Sequence, residues 1–145
     1  MKYLADRTMR GQFEVIGNVG KKILIIEDGL INRGYRIKYL EVWPNLVSNS
    51  GHDYQSILTM DTLASPPLMN AADNRQIAWA FQESAGTGPV YRSIIDPDHV
   101  AVRDLFLQTQ GDNGVYNYLI TIEMVELTDD EAIVQILKEE SQSLP

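Results

Sequence analysis

Asp96-Pro97-Asp98-His99 is the densest run of groups able to ligate a metal or move a proton in this 145-residue chain. Carboxylates and imidazole both coordinate divalent cations and exchange protons, so these three side chains are the candidates for a metal site or an acid–base step. On an extended segment, however, Asp96 and Asp98 share a face while His99 points away. No second acidic or His-rich segment converges on them, and a proline between two Asp residues fits a corner where carboxylates accept from turn amides. His52-Asp53 with a serine has the residue types of a hydrolytic triad, yet no Gly-x-Ser-x-Gly elbow accompanies it. In Gly17-Asn18-Val19-Gly20-Lys21-Lys22 the first glycine lies too near the lysine for a phosphate loop. Lys22 also occupies the Ser/Thr position, and a strand follows where a helix is needed. Asp112-Asn113-Gly114 lacks the alternating oxygen ligands and distal Glu of a calcium loop. The expectation is a non-enzymatic chain without catalytic residues, resident metal or cofactor, with Asp96, Asp98 and His99 as the sites of the enzyme or metal-binding alternative.

Two further groups bear on binding. Trp43 and Trp79, with seven tyrosines, have the ring chemistry to stack on sugars, but both lie in strand segments beside apolar residues, where burial in a core is expected. Lys2, Arg7 and Arg10 face a single Asp6 in the first ten residues, so a small basic arm over 1–10 precedes an acidic body over 11–145. Such an arm either frays or docks on an acidic neighbour, another copy of the chain included.

Composition limits the rest. The length suits one domain with a continuous core, and 44% hydrophobic with 22% charged residues is ordinary globular usage. A net charge of -8 argues against general nucleic-acid binding, which needs clustered Lys and Arg. Without cysteine there is no disulfide framework and no thiolate metal site. Met1 to Arg10 lacks the apolar stretch of an export signal, and the longest aliphatic run, Ile23 to Ile26, is far short of the roughly 20 residues of a membrane span. The expectation is a soluble chain made in a cytoplasm.

The elements that must position these residues are mostly strands. Tyr116, Tyr118, Ile120, Ile122 and Met124 alternate with Asn117, Thr121 and Glu123, which specifies a strand with one buried face and one polar face. Short strands are expected at Phe13 to Ile16, Lys22 to Glu27, Tyr35 to Trp43, Gln55 to Met60, Gln76 to Gln82, Val90 to Ile95 and Val100 to Gln110. Turns at Gly17-Asn18, Asp28-Gly29, Asn32-Arg33-Gly34, Ser48-Asn49-Ser50-Gly51 and Ser84 to Pro89 separate them. In Tyr35 to Trp43 the apolar phase switches after Tyr39, which predicts a bulge or a strand buried on both sides. Ser65-Pro66-Pro67 places 61–72 in a connection crossing between sheets. Asn113-Gly114 predicts that the strands ending at Gln110 and starting at Tyr116 pair as a hairpin. Thr128 and Glu131 have capping-box spacing with Leu127 as a staple, so Asp129 to about Gln142 is one amphipathic helix lying over an open sheet edge or face. The fold class is all-β, an antiparallel β-sandwich or single jelly roll with one C-terminal helix.

Several segments resemble ones that recur in small proteins of marine bacteriophages and environmental viral genomes: Met9 to Glu14, Gly34 to Ile37, Asp73 to Ala80, Ile95 to Val100 and Asp129 to Ala132. The resemblance implies a virion structural component, a coat, minor capsid or cement protein whose partners are other virion proteins and copies of itself. It assigns no functional residue. The expected contact points are the basic arm (Lys2, Arg7, Arg10) and the polar strand face (Asn117, Thr121, Glu123). A tail or receptor-contact module that binds glycan through its aromatic strands is the second expectation.

Overall fold

The structure, a computed structural model, describes residues 1–24, 32–46, 53–85 and 88–142. It contains β1 (Lys2–Val15), β2 (Val19–Leu24), β3 (Arg33–Pro44), β4 (Tyr54–Thr59), β5 (Gln76–Ala85), β6 (Gly88–Ile95), β7 (Leu105–Gly111), β8 (Gly114–Glu126) and α1 (Asp129–Gln142). Two antiparallel sheets carry the strands in the orders β1-β8-β3 and β2-β7-β4-β5-β6. The chain is an all-β sandwich with one terminal helix. First strand pairs with last, second with seventh and fourth with fifth, the pattern left when one long hairpin is rolled up as in a jelly roll. The remaining pair of that scheme is modified. β6 stays bonded to β5 and lies beside β3, where Ser93 Oγ donates to the Leu40 carbonyl (2.6 Å) and the Val42 N–H donates to the Tyr91 hydroxyl (3.3 Å).

Alternation in β8 sets the interior. Tyr116, Tyr118, Ile120 and Ile122 are buried against Phe13, Val15, Tyr35, Ile37, Leu40 and Val42 of their own sheet and against Leu24, Leu58, Ala78, Ala80, Leu105 and Leu107 of the other. Tyr54 reaches across, its ring edge-on to Tyr116 at 5.3 Å and its hydroxyl donating to the Val42 carbonyl at 2.6 Å. Desolvation raises the pKa of this phenol, which holds it as a neutral donor. The phase switch in β3 is a bulge between Ile37 and Tyr39, which returns Leu40 and Val42 to the interior and turns Tyr39, Glu41 and Trp43 outward.

Four expectations are corrected. Residues 1–10 are not a separate arm: the boundary at residue 10 lies inside β1, whose register with β8 runs from Lys2 opposite Glu126 to Val15 opposite Gly114. Gly11 hid the alternation, and a Cβ added there would stand 2.8 Å from the Tyr118 hydroxyl oxygen. β7 starts at Leu105, since Ala101 instead bonds both ways with Tyr35 (2.8 and 2.9 Å) and closes that part of the β3 edge. β7 and β8 do not pair. Their Asn-Gly turn is a corner between the sheets, docked on the Gly17-Asn18 turn, where both residues have positive φ, through Gly111 N–H to the Asn18 carbonyl (3.0 Å) and Asn18 N–H to Asn113 Oδ1 (2.8 Å). The 60–75 connection leaves and rejoins one sheet, because β4 and β5 are neighbours. The turns at Asp28-Gly29 and Ser48 to Gly51, the end of the strand from Lys22 to Glu27, and the centre of the Ser84 to Pro89 loop lie outside the described residues.

The helix cap matches its sequence signature. Thr128 N–H donates to Glu131 Oε1 (3.0 Å) and Glu131 N–H to Thr128 Oγ1 (3.2 Å), while Leu127 and Ala132 join Val100 and Val125 in a small second core. Ile133, Val134 and Leu137 remain more than two-fifths exposed, so the helix covers less of the sheet than its periodicity predicted.

Candidate functional site

Register places five rows of side chains on the outer face of β1-β8-β3. Asp6, Glu123 and Arg36 make one row, then Thr8, Thr121 and Tyr39, then Arg10, Leu119 and Glu41, then Gln12, Asn117 and Trp43, with Glu14 and Val115 beyond. The polar residues expected on β8 are therefore brought together with groups from both neighbours. Arg36 donates to Glu123, Lys38 Nζ reaches over β8 to Asp6 Oδ2 (3.1 Å), the Thr8 and Thr121 hydroxyls lie 3.3 Å apart, and Gln12 Nε2 donates to Asn117 Oδ1 (2.9 Å). The Asp6 carboxylate raises the Lys38 pKa, through its hydrogen bond first and its charge second. Directly opposed pairs of this kind support the ladder without covering the face.

Apolar rings stand among these pairs. Tyr39 is 46% and Trp43 42% exposed, so the burial expected for Trp43 fails: the bulge at Lys38 turns it outward. Trp79 differs. It is half-buried on the other sheet, its indole N–H donating to Gln76 Oε1 at 2.8 Å.

Lys2, Arg7 and Arg10 are exposed along β1, Arg10 on the outer face and Arg7 on the row facing the interior, opposite Ile122. Among the described residues β8 is the only strand paired with β1, and no described strand bonds its far edge. Sequence reasoning missed this edge and the Asp6–Lys38 contact. The even-numbered polar residues Asp6, Thr8, Arg10 and Gln12 were the available signal, broken by Arg7 and Gly11 on the other parity.

The Asp96, Asp98 and His99 candidates do not converge. Asp96 Oδ1 accepts from the Asp98 N–H (3.1 Å) within the corner, and His99 Nε2 sits 3.0 Å from Met60 Sδ. Among the described residues no three His, Asp or Glu side chains stand close enough to share a metal ion. His52 lies outside the described residues, and its neighbour Asp53 accepts from the Ser84 N–H (2.7 Å). A cleft of about 460 Å³ opens beside Asp53, with Gln55, Gln110 and Glu83 around Phe81 and Met69. Among the described residues no helix is long and apolar enough to cross a membrane. No protein-family model, curated protein or solved structure matches the chain.

Proposed function

We propose that this chain is a non-enzymatic structural protein of a bacteriophage particle, in the capsid or on it as a coat, minor capsid or cement protein. It is made in the host cytoplasm and held in the virion by repeated contacts with other virion proteins and with its own copies. The observation that carries the reading is the bare outer face of β1-β8-β3, where Tyr39, Trp43 and Leu119 stand in an ordered polar ladder that no other described element covers. A rigid face with aromatic anchors and a satisfied polar surround is the chemistry of a protein interface. Individually weak contacts of this kind act together when repeated over a closed shell. The jelly-roll order supports the reading by analogy, being shared by coat proteins, lectins and other modules. Mass spectrometry of gradient-purified particles tests it: the chain is expected at a fixed ratio to the major coat protein, and its absence overturns the proposal.

A tail or receptor-contact module binding glycan is the second reading. It is favoured by the exposed Trp43 ring and by the cleft at Phe81, whose amides and carboxylates suit a hydroxyl-rich ligand. Glycan-array binding that Trp43→Ala or Phe81→Ala abolishes supports it, and array silence removes it.

A further inference from the structure

We propose that two copies of the chain join antiparallel through the open edges of β1, about a two-fold axis at Thr8, making one six-stranded sheet in the order β3-β8-β1-β1-β8-β3. The proposal deepens the assembly reading, on which it rests, by naming one partner and one surface.

The two edges of the three-stranded sheet differ. β3 is closed by the Ala101 backbone at Tyr35 and by Ser93 and Tyr91 at Leu40 and Val42. β1 has no such closure among the described residues, and from Lys2 to Arg10 all its side chains except Leu4 and Met9 are exposed. An edge of this length is a template for strand addition, and charged side chains ordinarily guard against it. Here the charges are arranged to match a second copy.

Opposite residues of an antiparallel pair share a face, so a two-fold axis perpendicular to the sheet must pass through a residue position. Centring at Asp6 sets Asp6 against Asp6 and Lys2 against Arg10. Centring at Arg7 or Arg10 sets an arginine against itself, and centring at Met9 opposes no charges at all. Centring at Thr8 sets Asp6 against the second copy's Arg10 twice by symmetry, Thr8 against Thr8, and Arg7 against Met9. Opposite charges and Thr–Thr pairs are stabilising across strands, and like charges directly opposite are destabilising. Asp6 already accepts from Lys38, and a carboxylate has room for a second cation. Ala5 opposite Gly11 lets the backbones approach. The joined sheet carries the outer face of one copy into that of the next, doubling the surface offered to a neighbour.

Analytical ultracentrifugation of the full chain tests the proposal, with Thr8→Cys as a register probe in a chain that has no cysteine of its own. At about 50 μM the chain is expected to sediment as a dimer. Mild oxidation of Thr8→Cys is expected to give a covalent dimer, with Arg10→Cys cross-linking at least about tenfold more slowly, because its side chain meets Asp6. Arg10→Glu is expected to weaken association about tenfold, and adding Asp6→Lys to restore it. Unchanged circular dichroism spectra keep misfolding out of these comparisons. A monomer, a dimer indifferent to Arg10→Glu, or equal cross-linking at positions 8 and 10 overturns the proposal. A monomer that is nonetheless present in particles defeats the dimer alone, and a dimer absent from particles defeats the virion reading alone.

Discussion

The two outer faces of the sandwich are built from the same alternation and end in opposite states. On β2-β7-β4-β5-β6 the connection over 60–75 lies across the sheet, held by Leu63 N–H to Gln108 Oε1 (3.1 Å), Gln55 Nε2 to the Pro67 carbonyl (2.6 Å) and Gln76 Nε2 to the Leu68 carbonyl (2.9 Å). Beneath it Ile57 and Thr59 are fully buried and Gln108 nearly so. On β1-β8-β3 the equivalent positions, Leu119, Thr121 and Asn117, are half-buried by their cross-strand neighbours alone. Glutamines that bond strap carbonyls and amides build a closed face, whereas side chains that bond each other build an open one. Of the two, the β1-β8-β3 face is the one that no described connection crosses.

The largest effect expected from breaking this contrast is at Ile57. Ile57→Ala removes packing under the strap and should cost about 3 kcal/mol, whereas Leu119→Ala on the open face should cost less than about 1 kcal/mol. Thermal melts read the difference as a gap of about 7 °C. Equal losses would mean that the two faces are equally packed. Gln108→Leu keeps the volume but strips the acceptor from the Leu63 amide and the donor from Thr59 Oγ1 (3.0 Å), so a loss of about 1–3 kcal/mol in urea unfolding is expected. A neutral result would show the strap held without it.

At the helix end of the open sheet the effect is smaller and pH-dependent. The Thr128 N–H, with the Met1 ammonium beside it, holds the Glu131 carboxyl down at about 2. A depressed carboxylate contributes stability above its unfolded value of about 4.5 and loses it as pH falls toward 2. The melting-temperature gap between wild type and Glu131→Ala should therefore be constant at neutral pH and shrink between pH 4.5 and 2. A gap unchanged at pH 2 would remove the ionic cap. Smallest of all is Trp43→Ser, expected to leave stability within about 0.5 kcal/mol while lowering incorporation into particles. A stability loss beyond about 2 kcal/mol would mark Trp43 as a core residue.

What was legible in the sequence was local. The inward parity of β8, the β3 bulge, the Gly17-Asn18 turn and the Thr128–Glu131 cap each depend on neighbours within a few residues, and each is present, although the bulge falls before Tyr39 and not after it and so turns Tyr39 outward. Pairing was not legible. Asn113-Gly114 has the chemistry of a hairpin turn, but β8 takes β1 and β3 as its neighbours, more than 70 residues away in sequence, and the turn becomes a corner. Only the apolar end of β1 shows in the sequence, because residues 2–10 bury little, and a strand stabilised mainly by its ladder with β8 leaves no hydrophobic period to read. Of the candidate site, Asn117, Thr121 and Glu123 were visible as a polar face. Their partners Gln12, Thr8 and Arg36, and the outward turn of Trp43, required the register.

Hydroxyl-radical footprinting of Tyr39 and Trp43, in the free protein and in purified particles, tests the open face most directly. Strong labelling of both rings in the free protein and protection of both in the particle is the predicted result. Equal labelling in the two states, or particles that lack the chain, would contradict it.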